Sequence, residues 1–337
     1  MSEPIAADLV AQLRAALRTP ALELATPLER LHGGFGTVTF AFRLAGAPPA
    51  YSGPLVLRLF KAISPPERVL REASVQQAAI EAGIPAARPL LHSAVPAIAG
   101  RAFLVMERAT GATLLAALRR SPWAALDLGA RLAREQLRIH AVPVEPLARR
   151  LREAGVALRD LRSLLAALEE KVGSLGDARL RRGLEWLRAD AVARGGEIHL
   201  CHGDFHPGNL LAERGRVTAV LDWTSAALAE REWDVAQTLL LLRSAPLRFG
   251  AALGGLRRGL AHRYLAAYRA AAPLEDGRLH YYGMLHAFHA FVLAEQMREH
   301  RAGGRVEPHE PGTAWEWPAG RHALAKLFAR GSGIPLC

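Results

Sequence analysis

Polar side chains that could do chemistry are concentrated in one short segment of the chain, CHGDFHPGNLL at residues 201–211. Asp204 and Asn209 stand five positions apart in it, and the residues that follow, LLAERGRVTAVLD, predict two strands joined by a tight turn. A hairpin brings its two ends together, so Asn209 at its start and Asp222 at its end are expected side by side, with Asp204 one loop away. Two carboxylates and an amide oxygen suit a hard cation that takes its other ligands from water and phosphates.

The spacing predicts magnesium-nucleotide chemistry in which each of these side chains has a separate task. Asp222 would bridge the metal ions, Asn209 would complete the coordination, and Asp204 would accept or orient the proton of an attacking hydroxyl. Turn hydrogen bonds alone could explain Asp204 and Asn209, but not the returning strand that ends on Asp222. Zinc binding by His202 and His206 would need a third ligand at regular spacing, and none follows. His202 is therefore expected to orient the loop through backbone contacts.

Two ordered motifs, HGDFHPGN at 202–209 and LDW at 221–223, resemble the aminoglycoside phosphotransferase and choline kinase-like family, relatives of the protein kinases. The resemblance implies an α+β, bilobal protein-kinase-like fold. Its antiparallel-sheet N-lobe would span 1–108 and bind nucleotide. Its mostly helical C-lobe would span 109–337 and carry the catalytic loop and the acceptor-binding helices. The resemblance also implies ATP and Mg²⁺ as cofactors, a small-molecule acceptor, and a supporting role for Asp234 beside the catalytic loop.

Local sequence patterns predict the same division into a sheet-rich part and a helix-rich part. TVTFAFRL at 37–44 alternates and PLVLRLF at 54–60 is a short apolar run, and both are typical of strands. PPERVLREASVQQAAIEAG at 65–83 begins with proline, keeps an apolar stripe and ends in glycine, which predicts a helix. Beyond Gly111 the sequence is mostly typical of Ala/Leu/Arg helices, so the boundary falls near residue 108.

Nucleotide-binding roles in the N-lobe follow from the resemblance. LHGGFGTVTFAF offers Gly33, Gly34 and Gly36 in a turn whose backbone N–H groups could approach phosphates closely. Thr39 stands where the kinase pattern has a third glycine. The segment FLVMERATG resembles the linker between kinase lobes. One side chain lining the adenine pocket and two backbone positions contacting the base are expected there: Met106, Glu107 and Ala109.

The resemblance also requires a cation on the third strand and an acidic partner on the following helix. Arg58 aligns with that cation, where kinases have lysine, and Glu72 aligns with the acid. Arginine can bind phosphate and form a forked pair with a carboxylate, although its reach differs from that of lysine. Lys61 is the alternative phosphate-binding cation, but it falls on the opposite strand face from Arg58.

The chain is expected to be a small-molecule kinase, not a protein kinase. Only eleven residues separate Asp222 from Asp234, which leaves no room for an activation segment between Asp-Phe-Gly and Ala-Pro-Glu markers. Trp223 replaces the phenylalanine of the first marker, and Gly203 replaces the arginine that would receive an activating phosphate.

Composition and charge narrow the partners and the compartment. The formal net charge of +11 comes mainly from arginines scattered at helical spacing without interleaved aromatic residues, so specific nucleic-acid binding is not expected. Two cysteines cannot form a disulfide framework, the N-terminus lacks a signal-peptide pattern, and no apolar run approaches membrane-spanning length. We therefore expect a cytoplasmic protein that does not bind membranes.

The sequence leaves the phosphate acceptor open between an aminoglycoside-like antibiotic and another hydroxylated metabolite. Polycationic aminoglycosides would need an acidic pocket, for which Glu295 and Glu299 are candidates. The choice between ATP and GTP and the oligomeric state also stay open. The alternative function is a non-catalytic nucleotide-binding protein with a kinase-like fold, and the presence of both Asp204 and Asp222 argues against it.

Overall fold

The structure is a computed structural model that describes residues 2–31, 37–61, 64–65, 67–120, 125–190, 195–244, 254–304 and 314–336. The candidate phosphate-binding glycines Gly33, Gly34 and Gly36 lie outside the described residues. The strands are β1 (Glu23–Leu24), β2 (Glu29–Leu31), β3 (Thr37–Phe42), β4 (Leu44–Ala45), β5 (Leu55–Phe60), β6 (Pro89–Ile98), β7 (Arg101–Glu107), β8 (Ala112–Thr113), β9 (Ile198–Cys201), β10 (Leu210–Glu213), β11 (Arg216–Val220) and β12 (Ala227–Glu230). The helices are α1 (Ser2–Leu17), α2 (Glu67–Glu81), α3 (Leu114–Arg120), α4 (Ala125–His140), α5 (Val144–Glu153), α6 (Leu161–Leu175), α7 (Ala178–Asp190), α8 (Arg231–Ser244), α9 (Gly254–Ala271), α10 (Asp276–Ala302) and α11 (Pro318–Ser332).

The chain divides into two compact units. The first unit comprises residues 1–114, 145–158 and 208–226, and the second comprises 115–144, 159–207 and 227–337. Antiparallel sheets dominate the first unit and helices dominate the second, which is the α+β architecture that the sequence predicts.

The first unit is built on a five-stranded antiparallel sheet in the order β2-β3-β5-β7-β6. Strand β5 is buried on both faces, and its side chains alternate between two cores. Leu55, Leu57 and Leu59 pack with the side chains of α1. Val56 and Phe60 pack with those of α2. Because side chains alternate along a strand, Arg58 belongs to the face that α2 covers.

The same unit contains a three-stranded antiparallel sheet in the order β11-β10-β8. The backbone N–H of Val220, the last residue of β11, donates to the carbonyl of Pro85, in the segment between α2 and β6 (2.8 Å). This hydrogen bond connects the hairpin to the N-terminal part of the first unit, although 135 positions of sequence separate the two residues.

The second unit has one large core formed by α6, α7, α8, α10 and α11 together with β9 and β12. Its largest fully buried side chains are aromatic and include Tyr264, Tyr281 and Phe288. Strands β9 and β12 pair antiparallel and support the segment that follows Cys201. None of the helices in the described ranges is long and apolar enough to cross a membrane.

Strand β6 is the main element that the sequence did not predict. It carries Pro89 and Pro96, and its residues do not alternate between buried and exposed. Proline cannot donate to a neighbouring strand, so its presence argues against a central strand. Strand β6 lies at the edge of the sheet beside β7, where these missing donors are tolerated.

Candidate active site

The β10–β11 hairpin positions Asn209 and Asp222, as the sequence predicts. The N–H of Leu221 donates to the carbonyl of Asn209 (2.8 Å), which holds the two ends of the hairpin together. Arg214 and Gly215 form the two-residue turn, with φ of 48° and 82°. Positive φ at both central positions is the signature of a type I′ turn, whose twist matches that of the strands it joins.

Asp222 has an unusual backbone conformation for a residue with a side chain. Its φ of 63° and ψ of 70° are left-handed, and such strain is often found at functional positions. Oδ1 accepts a hydrogen bond from the hydroxyl of Thr224 (2.6 Å), and Oδ2 accepts one from Nη2 of Arg58 (3.2 Å). Thr224 and Arg58, both in the first unit, therefore orient the carboxylate, while the side chain of Asp222 stays 24% exposed.

Arg58 links Asp222 to α2. Its Nη1 donates to Glu72 in a buried ion pair, and its Nη2 also donates to the hydroxyl of Thr37 (3.3 Å). Burial raises the pKa of Glu72 to about 7, although the charge of Arg58 opposes the shift. Burial alone would lower the pKa of Arg58, but the charges of Glu72 and Asp222 outweigh it and raise that pKa. The structure thus brings together the cation and the acid that the sequence paired.

Two polar atoms of this pair have no hydrogen-bond partner within the described part of the chain: Nε of Arg58 and Oε2 of Glu72. Lys61, the alternative cation, follows the last residue of β5. Arg58 contacts both carboxylates, Glu72 and Asp222.

Strand β7 carries the side chain expected to line an adenine pocket. Met106 is buried, and its sulfur accepts from Nε2 of Gln76 on α2 (3.5 Å). The N–H of Glu107 already donates to the carbonyl of Arg88 (3.0 Å), so its N–H is engaged within the unit. Ala109 follows β7 in the segment that leads to β8.

The segment that carries Asp204 belongs to the second unit, immediately after β9. Gly203 has a φ of 76°, a conformation that side-chain-bearing residues rarely adopt. The N–H of Asp204 donates to Nδ1 of the fully buried His202 (3.2 Å), as expected for a histidine that orients the loop. The carboxylate of Asp204 is about one-third exposed, and its Oδ2 lies 3.9 Å from Nε2 of His206.

Asp234, near the start of α8, holds the backbone of this loop. Oδ2 accepts from the N–H of His202 (2.9 Å), and Oδ1 accepts from the N–H of Gly203 (2.7 Å). Nε2 of His140 lies 3.2 Å from Oδ2. Burial alone would raise the pKa of Asp234, but the side-chain hydrogen bonds from His140 and Gln136 lower it.

His140, Cys201 and Asp234 are close enough to be considered as metal ligands, since their ligand atoms all lie within 4.8 Å of one another. Each already has another partner. The thiol of Cys201 points at the carbonyls of Ala229 (3.6 Å) and Glu230 (3.7 Å). Burial raises the pKa of that thiol well above its usual range, which disfavours the thiolate that binds metal. We assign no metal to this cluster.

Four residues of these networks were missed from the sequence: Thr37, His140, Thr224 and Tyr268. Three of them contact their partners through tertiary packing, across more than twenty positions of sequence. Thr224 is the exception, because it stands two positions after Asp222. A hydroxyl at that spacing could have been identified as a cap for the carboxylate.

Comparison with known proteins identifies the family to which the sequence belongs. A model of the Phosphotransferase enzyme family matches residues 27–274, which include all the candidate catalytic, metal-binding and nucleotide-binding residues. The chain therefore belongs to this family of phosphotransferase enzymes.

The individual relatives are distant. Hygromycin-B 4-O-kinase of Escherichia coli is 45% identical over 38 residues, a match that spans 11% of this chain and 11% of that protein. A thermostable mutant of aminoglycoside phosphotransferase APH(4)-Ia superposes with a TM-score of 0.63 at 17% identity, covering 98% of this chain and 100% of the other. A choline/ethanolamine kinase family protein of Mesorhizobium loti gives a TM-score of 0.58 at 18% identity, covering 98% and 94%. These likenesses confirm the predicted protein-kinase-like fold.

Proposed function

We propose that the chain transfers the terminal phosphoryl group of ATP, bound with Mg²⁺, to a hydroxyl group of a small molecule. The observation that carries this proposal is the Asp222 carboxylate. It is held on a left-handed backbone at the end of a hairpin that starts at Asn209, and it is oriented by Arg58 and Thr224. Such strain in a partly exposed acidic residue supports a functional role for its carboxylate.

The donor set fits Mg²⁺, which prefers oxygen ligands and keeps several waters and phosphate oxygens. Asp222 and Asn209 would hold the ion through a carboxylate and an amide oxygen. When bound, Mg²⁺ would neutralise charge on the phosphate oxygens. Related structures are described as complexes with AMP-PNP or ADP and hygromycin B, which supports a nucleotide substrate here.

Arg58 would contact the nucleotide phosphates while Glu72 keeps its guanidinium in place. The unpartnered Nε of Arg58 adds a donor that a phosphate oxygen could use. Met106 would line the adenine pocket. Because the N–H of Glu107 is engaged by Arg88, an adenine contact at Glu107 would use its carbonyl, and Ala109 would supply an N–H.

Asp204 would act as the base that accepts or orients the hydroxyl proton of the acceptor. His202 and Asp234 would support it by fixing the backbone of residues 202–204. The carboxylate of Asp204 is partly exposed, as a group that must contact an acceptor has to be. Since the loop is held by backbone contacts, the side chain of Asp204 can be changed without removing those contacts.

The acceptor is proposed to be a small hydroxylated molecule. Glu295 on α10, a candidate contact for a polycation, is held by Arg298 (2.8 Å) and by Arg321. Glu316 is likewise held by Arg301 (2.8 Å). Since arginines neutralise these two acids, they do not favour an aminoglycoside over another acceptor.

The first test is the shift in melting temperature with ATP, in the presence and absence of Mg²⁺. We expect the wild type to be stabilised only when both are present, and Asp222→Asn to lose that shift while keeping the left-handed backbone, which asparagine tolerates. Asp127→Asn, the same charge change at an exposed position of α4, is the matched control and should respond like the wild type. No shift in the wild type would contradict the proposal.

Asp204→Asn separates catalysis from binding. We expect it to keep the Mg²⁺-dependent shift with ATP and to lose phosphoryl transfer to an acceptor found by screening hydroxylated compounds. Unchanged turnover would remove Asp204 from the role of base. Binding without transfer by the wild type to any acceptor in a broad panel would instead favour the non-catalytic nucleotide-binding function.

A further inference from the structure

A chain of buried hydrogen bonds lies behind the loop that carries Asp204. Nε2 of His140 contacts Oδ2 of Asp234 (3.2 Å), and Nδ1 of the same ring contacts the hydroxyl of Tyr268 on α9 (2.5 Å). The backbone carbonyl of His140 accepts from Nδ1 of His199 (2.9 Å). These residues all belong to the second unit, and His140 and Asp234 are almost fully buried.

The partners of His140 determine where its ring hydrogen lies. Asp234 is a carboxylate with a lowered pKa and can only accept, so Nε2 of His140 donates to it. Burial raises the pKa of the Tyr268 hydroxyl, which therefore stays protonated and donates to Nδ1. One tautomer of the ring satisfies both neighbours.

A second histidine fixes the end of helix α4, where His140 is the last residue. Arg231 donates to Nε2 of His199 (2.9 Å), so the hydrogen of that ring is on Nδ1 and points at the carbonyl of His140. Burial lowers the pKa of His199, with Arg231 acting in the same direction, and so favours the neutral ring. Backbone and side chain of His140 are thus both held in one orientation.

We propose that His140, assisted by Tyr268, is a positioning residue for phosphoryl transfer. His140 holds the carboxylate of Asp234, which holds the N–H groups of His202 and Gly203 and so fixes the backbone that leads to Asp204. This inference rests on the proposed role of Asp204 as the base.

The geometry gives Asp234 little freedom to compensate for a lost donor. Its two oxygens receive two loop N–H groups, the imidazole of His140 and the side-chain amide of Gln136, so every donor around it is already used, and no part of its side chain is exposed to water. A buried carboxylate that loses a donor must rotate toward another or recruit water. Rotation would disturb both loop contacts, because one N–H binds each oxygen. Gly203, whose N–H makes one of these contacts, also has a backbone conformation that few residues adopt.

Two substitutions of His140 separate its contacts. In His140→Gln the amide nitrogen can occupy the place of Nε2 and still donate to Asp234, whereas in His140→Asn the shorter amide reaches only the place of Nδ1. We expect backbone hydrogens of residues 202–204 to exchange with deuterium about tenfold faster in His140→Asn. In His140→Gln the exchange should stay close to the wild-type rate.

Tyr268→Phe and Tyr281→Phe form a matched pair. Both tyrosines are fully buried, but the hydroxyl of Tyr281 donates to the carbonyl of Leu187 (3.0 Å) and not to the loop network. Tyr268→Phe should speed exchange in residues 202–204, and Tyr281→Phe should not. This pair tests the proposal even where His140→Asn does not fold.

Kinetics provide the second measurement, with Mg²⁺-ATP as the probe and its slow hydrolysis by water as the reaction. We expect His140→Asn to lower kcat by about 10- to 100-fold while KM for ATP changes less than about twofold. His140→Gln should recover most of kcat. An equal loss of kcat in the two variants, or an equal change in kcat and KM, would show that His140 contributes to stability and does not position the loop.

The two measurements distinguish failure of this inference from failure of the proposed function. Suppose that His140→Asn and Tyr268→Phe speed exchange in residues 202–204 but the wild type does not hydrolyse ATP. This result would support the contacts by which His140 holds the loop and would remove the catalytic role of Asp204. Wild-type exchange rates in a folded His140→Asn, or in Tyr268→Phe, would overturn the positioning role directly.

Discussion

At the scale of single residues, Arg58 shows how an arginine can stand at the position where the kinase pattern implies a lysine. Its two terminal nitrogens serve two carboxylates, Nη1 on Glu72 and Nη2 on Asp222. Lysine has one compact ammonium and cannot form this fork. The side chain of Glu72 is completely buried, so its charge depends on Arg58 for compensation.

Arg58→Met should therefore destabilise the protein by about 3–5 kcal/mol, because it leaves Glu72 buried without a partner. Adding Glu72→Leu should recover much of the loss, since the orphaned carboxyl group is removed and an apolar side chain takes its place. Urea unfolding of the wild type and of the single and double variants measures both values. A double variant less stable than Arg58→Met would show that Glu72 is stabilising without Arg58.

His286 should make stability depend on pH below neutrality. Burial lowers its pKa to about 4 in the folded state, and its Nε2 contacts the carbonyl of Trp233 (2.8 Å). A lowered pKa means that protons bind the unfolded chain more tightly. The contribution is thus complete above pH 6.5 and is lost as pH falls toward about 4.

The size of this contribution follows from the shift and is on the order of 3 kcal/mol. His286→Gln keeps a donor toward Trp233 but does not titrate, so it serves as the comparison. Unfolding free energies of both proteins at pH 7.5 and pH 4.5 give the difference that belongs to His286. Parallel losses in the two proteins would assign the acid sensitivity to other groups.

The sequence could predict those site residues that share a short segment or a known alignment. Asp204, Asn209 and Asp222 follow from one motif and one hairpin, and Arg58 and Glu72 follow from the resemblance. His140 and Tyr268 could not be predicted, because their contacts depend on how α4, α8 and α9 pack. A buried histidine at the end of a helix looks the same in sequence whether it contacts a carboxylate or only fills space.

At the scale of elements, the turn of the β10–β11 hairpin offers a local test of how the candidate metal ligands are positioned. Arg214 has a φ of 48°, although arginine gains nothing in a left-handed conformation. Arg214→Asn would create the Asn-Gly pair that type I′ turns favour, so we expect stabilisation by about 0.5–1 kcal/mol. Thermal unfolding measures this value.

Gly215→Val is the opposing change at the same turn. A β-branched residue at a φ of 82° is strained, and we expect destabilisation by at least about 1 kcal/mol. Because the hairpin carries Asn209 and Asp222 at its ends, the melting shift with ATP and Mg²⁺ should also weaken. Arg216→Val, on the first residue of β11, is the control for the added apolar side chain. If the melting shift with ATP and Mg²⁺ is as large in Gly215→Val as in Arg216→Val, the turn does not position the candidate metal ligands.

Elements with a clear period or clear ends could be predicted, and those that depend on their neighbours could not. Strands β3 and β5 and helix α2 have patterns that a single segment reveals. Strand β6 is defined by its pairing with β7, and its prolines are acceptable because no strand in the described part of the chain pairs on its other side. Strands β8 and β12 are too short to show a period.

At the scale of the whole molecule, the first unit gathers segments that are far apart in sequence. The guanidinium of Arg71 on α2 donates to the carbonyl of Ala157 (3.3 Å), and Val220 is bound to Pro85. Contacts of this kind bring 145–158 and 208–226 into the first unit. Sequence order cannot show them, because nothing local in either segment specifies the partner.

The distribution of charge argues for weak and nonspecific binding of polyanions. Exposed arginines on several helices are engaged by acids, as in Arg188 with Glu169 (2.5 Å) and Arg150 with Glu81. A net charge of +11 still attracts nucleic acid at low salt, but no single stripe or aromatic platform concentrates it. The attraction should therefore come from counterion release alone.

We expect fluorescence anisotropy with a labelled duplex to show weak binding at low salt that falls steeply as salt rises. At physiological salt the Kd should be in the nonspecific range of about 10⁻⁴ to 10⁻⁶ M or weaker, and it should not depend on sequence. ATP with Mg²⁺ should leave the binding unchanged. A nanomolar Kd that persists at physiological salt would instead require a nucleic-acid site, because scattered and acid-paired arginines cannot provide that affinity.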